Sequence, residues 1–216
     1  MSKMVWDQIG ERLYETGVEQ VALFPQANGT YPTGAPWNGV TALNLTPSGA
    51  EPTALYANDR KYLTLTSVEE LGGTIEAYTY PDEWMACDGS ASVSEGVYLG
   101  QQPRKPFGLA AKTLIGNDTN MNKHGYKLHL IYGGLASPSE QAHATINDSP
   151  EAATLSWEFT TTPVAVEGHE PTSYICIDST KADKAKLEAL EAIIYGGTDS
   201  EARLPLPEEV MQLMSK

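Results

Sequence analysis

The stretch YPDEWMACDGS, residues 80–90, gathers more reactive side-chain types than any other part of this chain: Asp82, Glu83, Cys87, Asp88 and Ser90 lie beside Trp84. Two chemistries would use such groups. A cysteine nucleophile needs a histidine base and a stabilised thiolate. Here acids surround Cys87, and negative neighbours raise a thiol pKa. Glycoside hydrolysis needs two carboxyl groups facing each other across a sugar cleft. Asp82 and Glu83 are adjacent in sequence, so their side chains diverge. A structural corner accounts for the stretch better. A strand ends at Pro81, Asp82 caps one helical turn over Glu83–Ala86, Gly89 turns the chain with positive φ, and Trp84 and Met85 pin the turn to a core.

The rest of the chain offers little else of catalytic type. His124, His129, His143 and His169 stand in no HxH, HExxH or HxxxH arrangement with acids at ligand spacing. No GxSxG elbow occurs, and the glycine pairs fit neither a phosphate loop nor a dinucleotide fold. Cys87 and Cys176 form no CxxC pair and read as buried free thiols rather than zinc ligands. The expectation is no catalytic residue, no metal and no cofactor.

The elements that position these residues read mostly as strands, because apolar residues alternate with polar ones between turn signals. Leu63 and Leu65 share one face of YLTLTS, and Ile75 and Ala77 one face of TIEAYTY. Tyr126, Leu128, Leu130 and Tyr132 line one face of GYKLHLIYGG, opposite Lys127 and His129. Leu155, Trp157 and Phe159 do so in ATLSWEFTTT. Further strands are expected at Val18–Phe24, Val40–Thr46, Ala54–Ala57, Val97–Gln101, Phe107–Ile115, Gln141–Ile146 and Ser173–Ile177. Many short strands with Gly, Pro, Asn and Asp between them imply a sandwich or barrel.

Two regions differ. Residues 25–60 are rich in proline and glycine with little sustained alternation, and read as a long loop that docks through Trp37. Residues 180–195 read as a helix, capped by Ser179 or Thr180 and stopped at Gly196–Gly197, with Leu187, Leu190 and Ile194 as its apolar stripe. Its lysines precede its glutamates, against the helix macrodipole, which suits charges that serve an outside partner. A second short helix is expected over 206–214, with Pro207 in its first turn. No linker or repeat divides the chain, so residues 1–216 read as one domain.

The 28 acids and 14 bases give a formal charge of −14, the wrong sign for a protein that binds nucleic acid by neutralising phosphates. The opening residues lack the apolar core of a signal peptide, and no stretch approaches the length of a membrane helix, so a soluble chain made in the cytoplasm is expected.

Three blocks carry a family resemblance: EAYTYPDE followed by CDG, then GQQPRKPFG, then TINDSPEA followed by Trp157. With the sequence around them, from about Gly17 to the C-terminus, they resemble the major tail proteins of long-tailed phages of Gram-positive bacteria. The resemblance implies a tail-tube subunit with a β-sandwich or half-barrel, a flanking C-terminal helix and a long arm, and without catalysis or cofactor. It implies rings of six copies that stack into a tube in the virion, with other tail proteins such as the tape measure and the tail terminator as partners. Genomic DNA leaves through the channel without specific binding.

In that setting the segment 25–60 becomes an inter-subunit arm, with Trp37, Asn38 and Tyr56 as its contact residues. Glu76 and Glu158, on strand faces away from the core, become candidates for the channel wall. Residues 1–16 have no counterpart in the resemblance. Two alternatives belong to other classes: a carbohydrate-binding β-sandwich, suggested by four Trp and eleven Tyr, and a glycoside hydrolase using Asp82, Glu83 or Asp88.

Overall fold

The computed structural model describes residues 3–143, 145, 152–197 and 200–215. Strands β1 (Tyr14–Pro25), β2 (Ala35–Pro36), β3 (Val40–Gly49), β4 (Pro52–Ala57), β5 (Arg60–Thr66) and β6 (Glu69–Ala77) lead into a short helix, α1 (Trp84–Asp88). After it come β7 (Ala91–Ser94), β8 (Val97–Leu99), β9 (Phe107–Asn117) and β10 (Met121–Ala136). Strands β11 (Leu155–Thr161), β12 (Val164–Val166), β13 (His169–Thr172) and β14 (Tyr174–Asp178) precede α2 (Lys184–Tyr195) and α3 (Pro207–Ser215). The protein is mainly β, with a β-sandwich-like arrangement and helices at its C-terminal end.

The principal sheet runs β2-β1-β9-β10-β11-β6-β3, all antiparallel, with β14 on β10 as well. The reason that β10 serves three partners lies in its own backbone. From Lys127 to Ile131 it pairs with β14, and from Gly134 to Ala136 with β11. The change falls at Gly133, whose φ of 63° lies in the left-handed region and whose amide donates to the Tyr31 hydroxyl oxygen at 2.8 Å. A Cβ there would run into the Thr162 carbonyl, so only glycine fits the bend.

The sheet rolls until its two ends approach, and the interior of the roll is one core. It contains Leu23 of β1, Ile75 and Ala77 of β6, Leu109 of β9, Ile131 of β10, and Trp157 and Phe159 of β11, closed by Trp84 and Cys87 of α1. A second core lies on the outer face of β1, β9, β10 and β14. There Leu128, Leu130, Tyr132 and Ile177 meet Leu187, Leu190 and Ile194 of α2 and Val210 of α3. Strand β9 is therefore apolar on both faces, and its near-continuous run FGLAA follows from that double burial. The strand faces expected for Ile75 and Ala77, for Tyr126–Tyr132 and for Leu155–Phe159 are those observed.

Several expectations are corrected. The strands expected at Val40–Thr46 and Ala54–Ala57 are observed, as β3 and β4, whereas the long loop read over residues 25–60 is corrected: β2 and β3 join the principal sheet, and β4 opens a hairpin with β5. Prolines misled the reading because β3 and β4 are edge strands, where a missing N–H costs no ladder bond. Helix α2 begins at Lys184 and its N-cap is Asp183, whose carboxylate accepts from the Lys186 amide at 3.1 Å. Ser179 instead accepts from the Tyr126 amide at 2.8 Å, which ties the approach to the helix onto β10.

The helix charges find partners within the subunit. Lys181 meets Asp178 at 3.3 Å, Lys184 meets Glu188 at 3.7 Å, and Glu191 meets Lys112 at 2.9 Å. In the expected strand Gln141–Ile146, residues 141–143 and 145 are not in a strand, and 144 and 146 lie outside the described residues. Much of the TINDSPEA block lies outside them too.

Candidate assembly surfaces

The corner at residues 80–90 is built as a cap. Strand β6 ends at Ala77, ahead of Pro81, and the amides of Trp84 and Met85 bond back to the carbonyls of Pro81 and Asp82. Gly89 follows α1 with a φ of 83°. Glu83 occupies the N-cap position, and no side chain caps the turn. Trp84 is wholly buried, packed tilted or edge-on among Trp37 at 4.7 Å, Phe107 at 5.0 Å and Trp157 at 5.6 Å between ring centres. Asp82 and Glu83 point to solvent. Burial raises the Asp88 carboxyl above its ordinary range, against the pull of Arg104.

Burial also pushes the Cys87 thiol up to about 12, a larger effect than the opposing charge of Lys105 or the added one of Asp88. The thiolate needed for attack is therefore suppressed by desolvation first and by acidic neighbours only second. Cys176 is exposed, contrary to the expectation of two buried thiols. A thiol reagent at pH 8 is expected to modify one thiol per folded chain quickly, at Cys176. Cys87 should react only after denaturant is added, and fast modification of both in the native protein would contradict this packing.

Trp37 is a core residue. It is 3 % exposed, and its indole N–H donates to the Thr79 carbonyl at 2.8 Å. The docking expected of it is onto its own subunit, which corrects its assignment to an inter-subunit arm. Asn38 is exposed beside it, at the mouth of a cleft between β1 and β3. Tyr56 is 72 % exposed near the tip of the β4–β5 hairpin.

The sequence points to the two strands of that hairpin, at Ala54–Ala57 and in YLTLTS, and leaves hidden that they pair with each other and project. The hairpin continues the β3–β6 pair outward and turns at Asn58 and Asp59, both with positive φ, the geometry of a tight hairpin turn. Leu55 lies opposite Leu63, and Thr53 opposite Leu65, so one face carries all three leucines. All three are exposed, as are Tyr62 and Val68. The alternation of Leu63 and Leu65 was legible; that the described residues leave their face exposed was not. A second hairpin, β7–β8, exposes Val93, Val97, Tyr98 and Leu99. Monomeric proteins seldom leave such apolar clusters uncovered.

The principal sheet also has open edges. Among the described residues β3 pairs with β6 alone, and β14 with β10 alone. Ten-residue β3 thus presents a row of unpaired backbone groups.

Glu76 and Glu158 stand on one surface. Glu76 is opposite Ser156 in β11 and Ala42 in β3, and Glu158 is opposite Thr74. Asn44 also faces Thr74. The roll's outer wall over β3, β6 and β11 is therefore polar and acidic, while Ile75, Trp157 and Phe159 fill its inside.

The histidines serve structure where they are engaged. His129 is hydrogen-bonded to the Thr113 hydroxyl at 2.8 Å and the Tyr174 hydroxyl at 2.6 Å, and burial lowers its pKa. His124 contacts the Asn117 amide at 3.2 Å. No group of three metal-ligating side chains occurs among the described residues. No helix of the described residues is long and apolar enough to cross a membrane. Comparison of the sequence with protein-family models finds no match, and comparison with curated proteins finds none either.

Proposed function

We propose that this chain is a self-assembling subunit of a phage tail tube, in which stacked rings of six copies enclose a channel for DNA. The observation that carries the reading is the β4–β5 hairpin: an ordered two-stranded projection whose leucine face is left exposed by the described residues. A hairpin alone is marginal in water, and its apolar face is completed by a neighbouring copy. The open edges at β3 and β14 supply a second kind of contact. A ring closes when the edge of one copy pairs with a different edge of the next, a head-to-tail contact that leaves no free end. The sequence resemblance supplies the number of copies and the tube. The arm of the proposal is thus residues 52–66, with Tyr56 in it, and neither Trp37 nor the segment before β3.

The other classes gain less support. Trp37, Trp84 and Trp157 sit in one buried cluster, and Trp6 is the exposed tryptophan. A sugar platform on the sheet would need such rings on its surface. Negative-stain microscopy of the purified protein tests the proposal. Rings or hollow tubes are expected, and dispersed single subunits at the highest attainable concentration would overturn it.

The channel wall follows from charge. Moving DNA must not adhere, and a basic wall would bind it by releasing counterions. An acidic wall repels it across a Debye length of roughly 8 Å at physiological salt. The shared polar face of Glu76 and Glu158 is assigned to the channel. Phage whose tails assemble with Glu76→Lys or Glu158→Lys are expected to eject DNA more slowly, with recovery at higher salt. Unchanged ejection for both would remove the assignment.

A further inference from the structure

The rolled sheet does not quite close. Its first long strand, β1, and its last, β3, approach each other where residues 35–37 leave β1, and the seam between them is a cleft of about 930 Å³. Val18 and Val40 form its sheet-side walls, and Ala192 and Tyr195 of α2 line the other side. Between Tyr14 and Gln20, β1 pairs with β9 on one side and has no strand partner on the other among the described residues. Two register shifts, at Thr16/Glu19 and Glu19/Ala22, and a φ of 50° at Gln20 break this edge into short runs. Such an edge suits a few residues of extended chain and resists a full strand.

The same chain carries a segment of that kind. Residues 3–9, KMVWDQI, belong to no helix or strand, and Met4, Val5, Trp6 and Ile9 are between 61 and 81 % exposed. The segment is tethered where it meets the body. The Gly10 amide donates to the Asp118 carboxylate at 2.9 Å, and the Gly10 carbonyl accepts from the Asn117 side chain at 3.0 Å. Its apolar side chains are thus held out at one corner, at the β9–β10 turn, uncovered by the other described residues. In an extended segment Met4 and Trp6 project to the same side. The charges match as well: Lys3 precedes Met4, and the rim of the cleft carries Glu19, exposed and without an ion-pair partner among the described residues.

We infer that the seam between β1 and β3 receives residues 3–9 of a second copy of this chain, with Met4 and Trp6 in the cleft, Lys3 beside Glu19, and main-chain bonds to the open edge of β1. This is strand addition anchored by alternate side chains. It gives a role to the residues that lie outside the resemblance to tail proteins. It rests on the self-assembly reading only in taking a second copy as the donor.

A labelled peptide of residues 3–9 is titrated into the full chain carrying Trp6→Ala, which keeps its own segment from competing. Saturable binding is expected. A peptide with Trp6→Ala should bind at least about tenfold more weakly, as for the central aromatic anchor of an interface. A receiving chain with Ala192→Arg, on the exposed face of α2, should lose binding while keeping its unfolding midpoint. A photo-crosslinker placed at position 6 of the full chain, in a mixture of isotopically light and heavy copies, should join light to heavy at residues 18–20 or 192–196. Absence of peptide binding, crosslinks confined to one copy, or crosslinks to another surface would each overturn the inference. Peptide binding is read on isolated chains and tubes by microscopy, so either idea can fail without the other.

Discussion

Removing residues 52–66 and joining Glu51 to Ser67 through two glycines is expected to leave a folded subunit that no longer assembles. Among the described residues β4 and β5 pack chiefly against each other, so urea unfolding should shift little. The effect on association is large. Covering the three half-exposed leucines with a neighbour is worth roughly 1–1.5 kcal/mol each, on the order of 3–4.5 kcal/mol per contact. Its loss raises the concentration required for assembly by roughly a hundred- to a thousandfold. The milder variant Leu63→Ser with Leu65→Ser should fall between the deletion and the parent. Sedimentation across a concentration series reads the difference. Normal assembly by the deletion variant would remove the hairpin from the interface. A cut placed earlier, over residues 29–52, is no substitute, because it would take out Trp37 and β3 and with them the core.

Trp84→Ala is expected to destabilise the subunit by about 3–5 kcal/mol, the range for truncating a buried aromatic ring. The cavity would open against Trp37, Phe107 and Trp157, whose rings cannot collapse into it because each is held by its own strand or hydrogen bond. Trp84→Phe separates volume from polarity. The Trp84 indole N–H is buried with no partner among the described residues, and an unsatisfied buried donor costs about 1–3 kcal/mol. Removing it offsets part of the lost packing, so the phenylalanine variant should lose less than half as much as the alanine variant. Denaturant titration of both decides. Equal losses would mean that the N–H is satisfied in solution.

The contrast between Trp37 and Leu63 shows what the sequence could and could not tell. Alternation in residues 126–132 and 155–159 named the correct inward faces, because those strands are covered by their own subunit. The same period in residues 62–66 named a correct face too, but period two reports that one side seeks an apolar cover, not whose cover it is. Trp37 failed in the opposite sense. Its surroundings, GAPWNG, have the composition of a loop, and the ring's destination is set by residues 84 and 157, far along the chain. The corner at 80–90 was legible because its signals are local: a proline stop, one helical turn and a glycine with positive φ. The polar face of Glu76 and Glu158 was legible strand by strand, whereas its continuity across β6 and β11 needed the pairing of Glu76 with Ser156. The tether at Gly10 joins residues more than a hundred positions apart and left no trace in local pattern.

Strands β9 and β10 form the floor of both cores, with Leu109 and Ile131 facing one and Ala110 and Leu130 the other. Melting either core would strip one face of the same two strands, so the loss of one undermines the other. The two cores therefore unfold as one cooperative unit, and the slowest amides to exchange with solvent belong to β9 and the middle of β10. The hairpins lie outside that unit and open independently of it. In the proposed assembly, heat or denaturant would then loosen contacts between copies before it loosens the copies themselves.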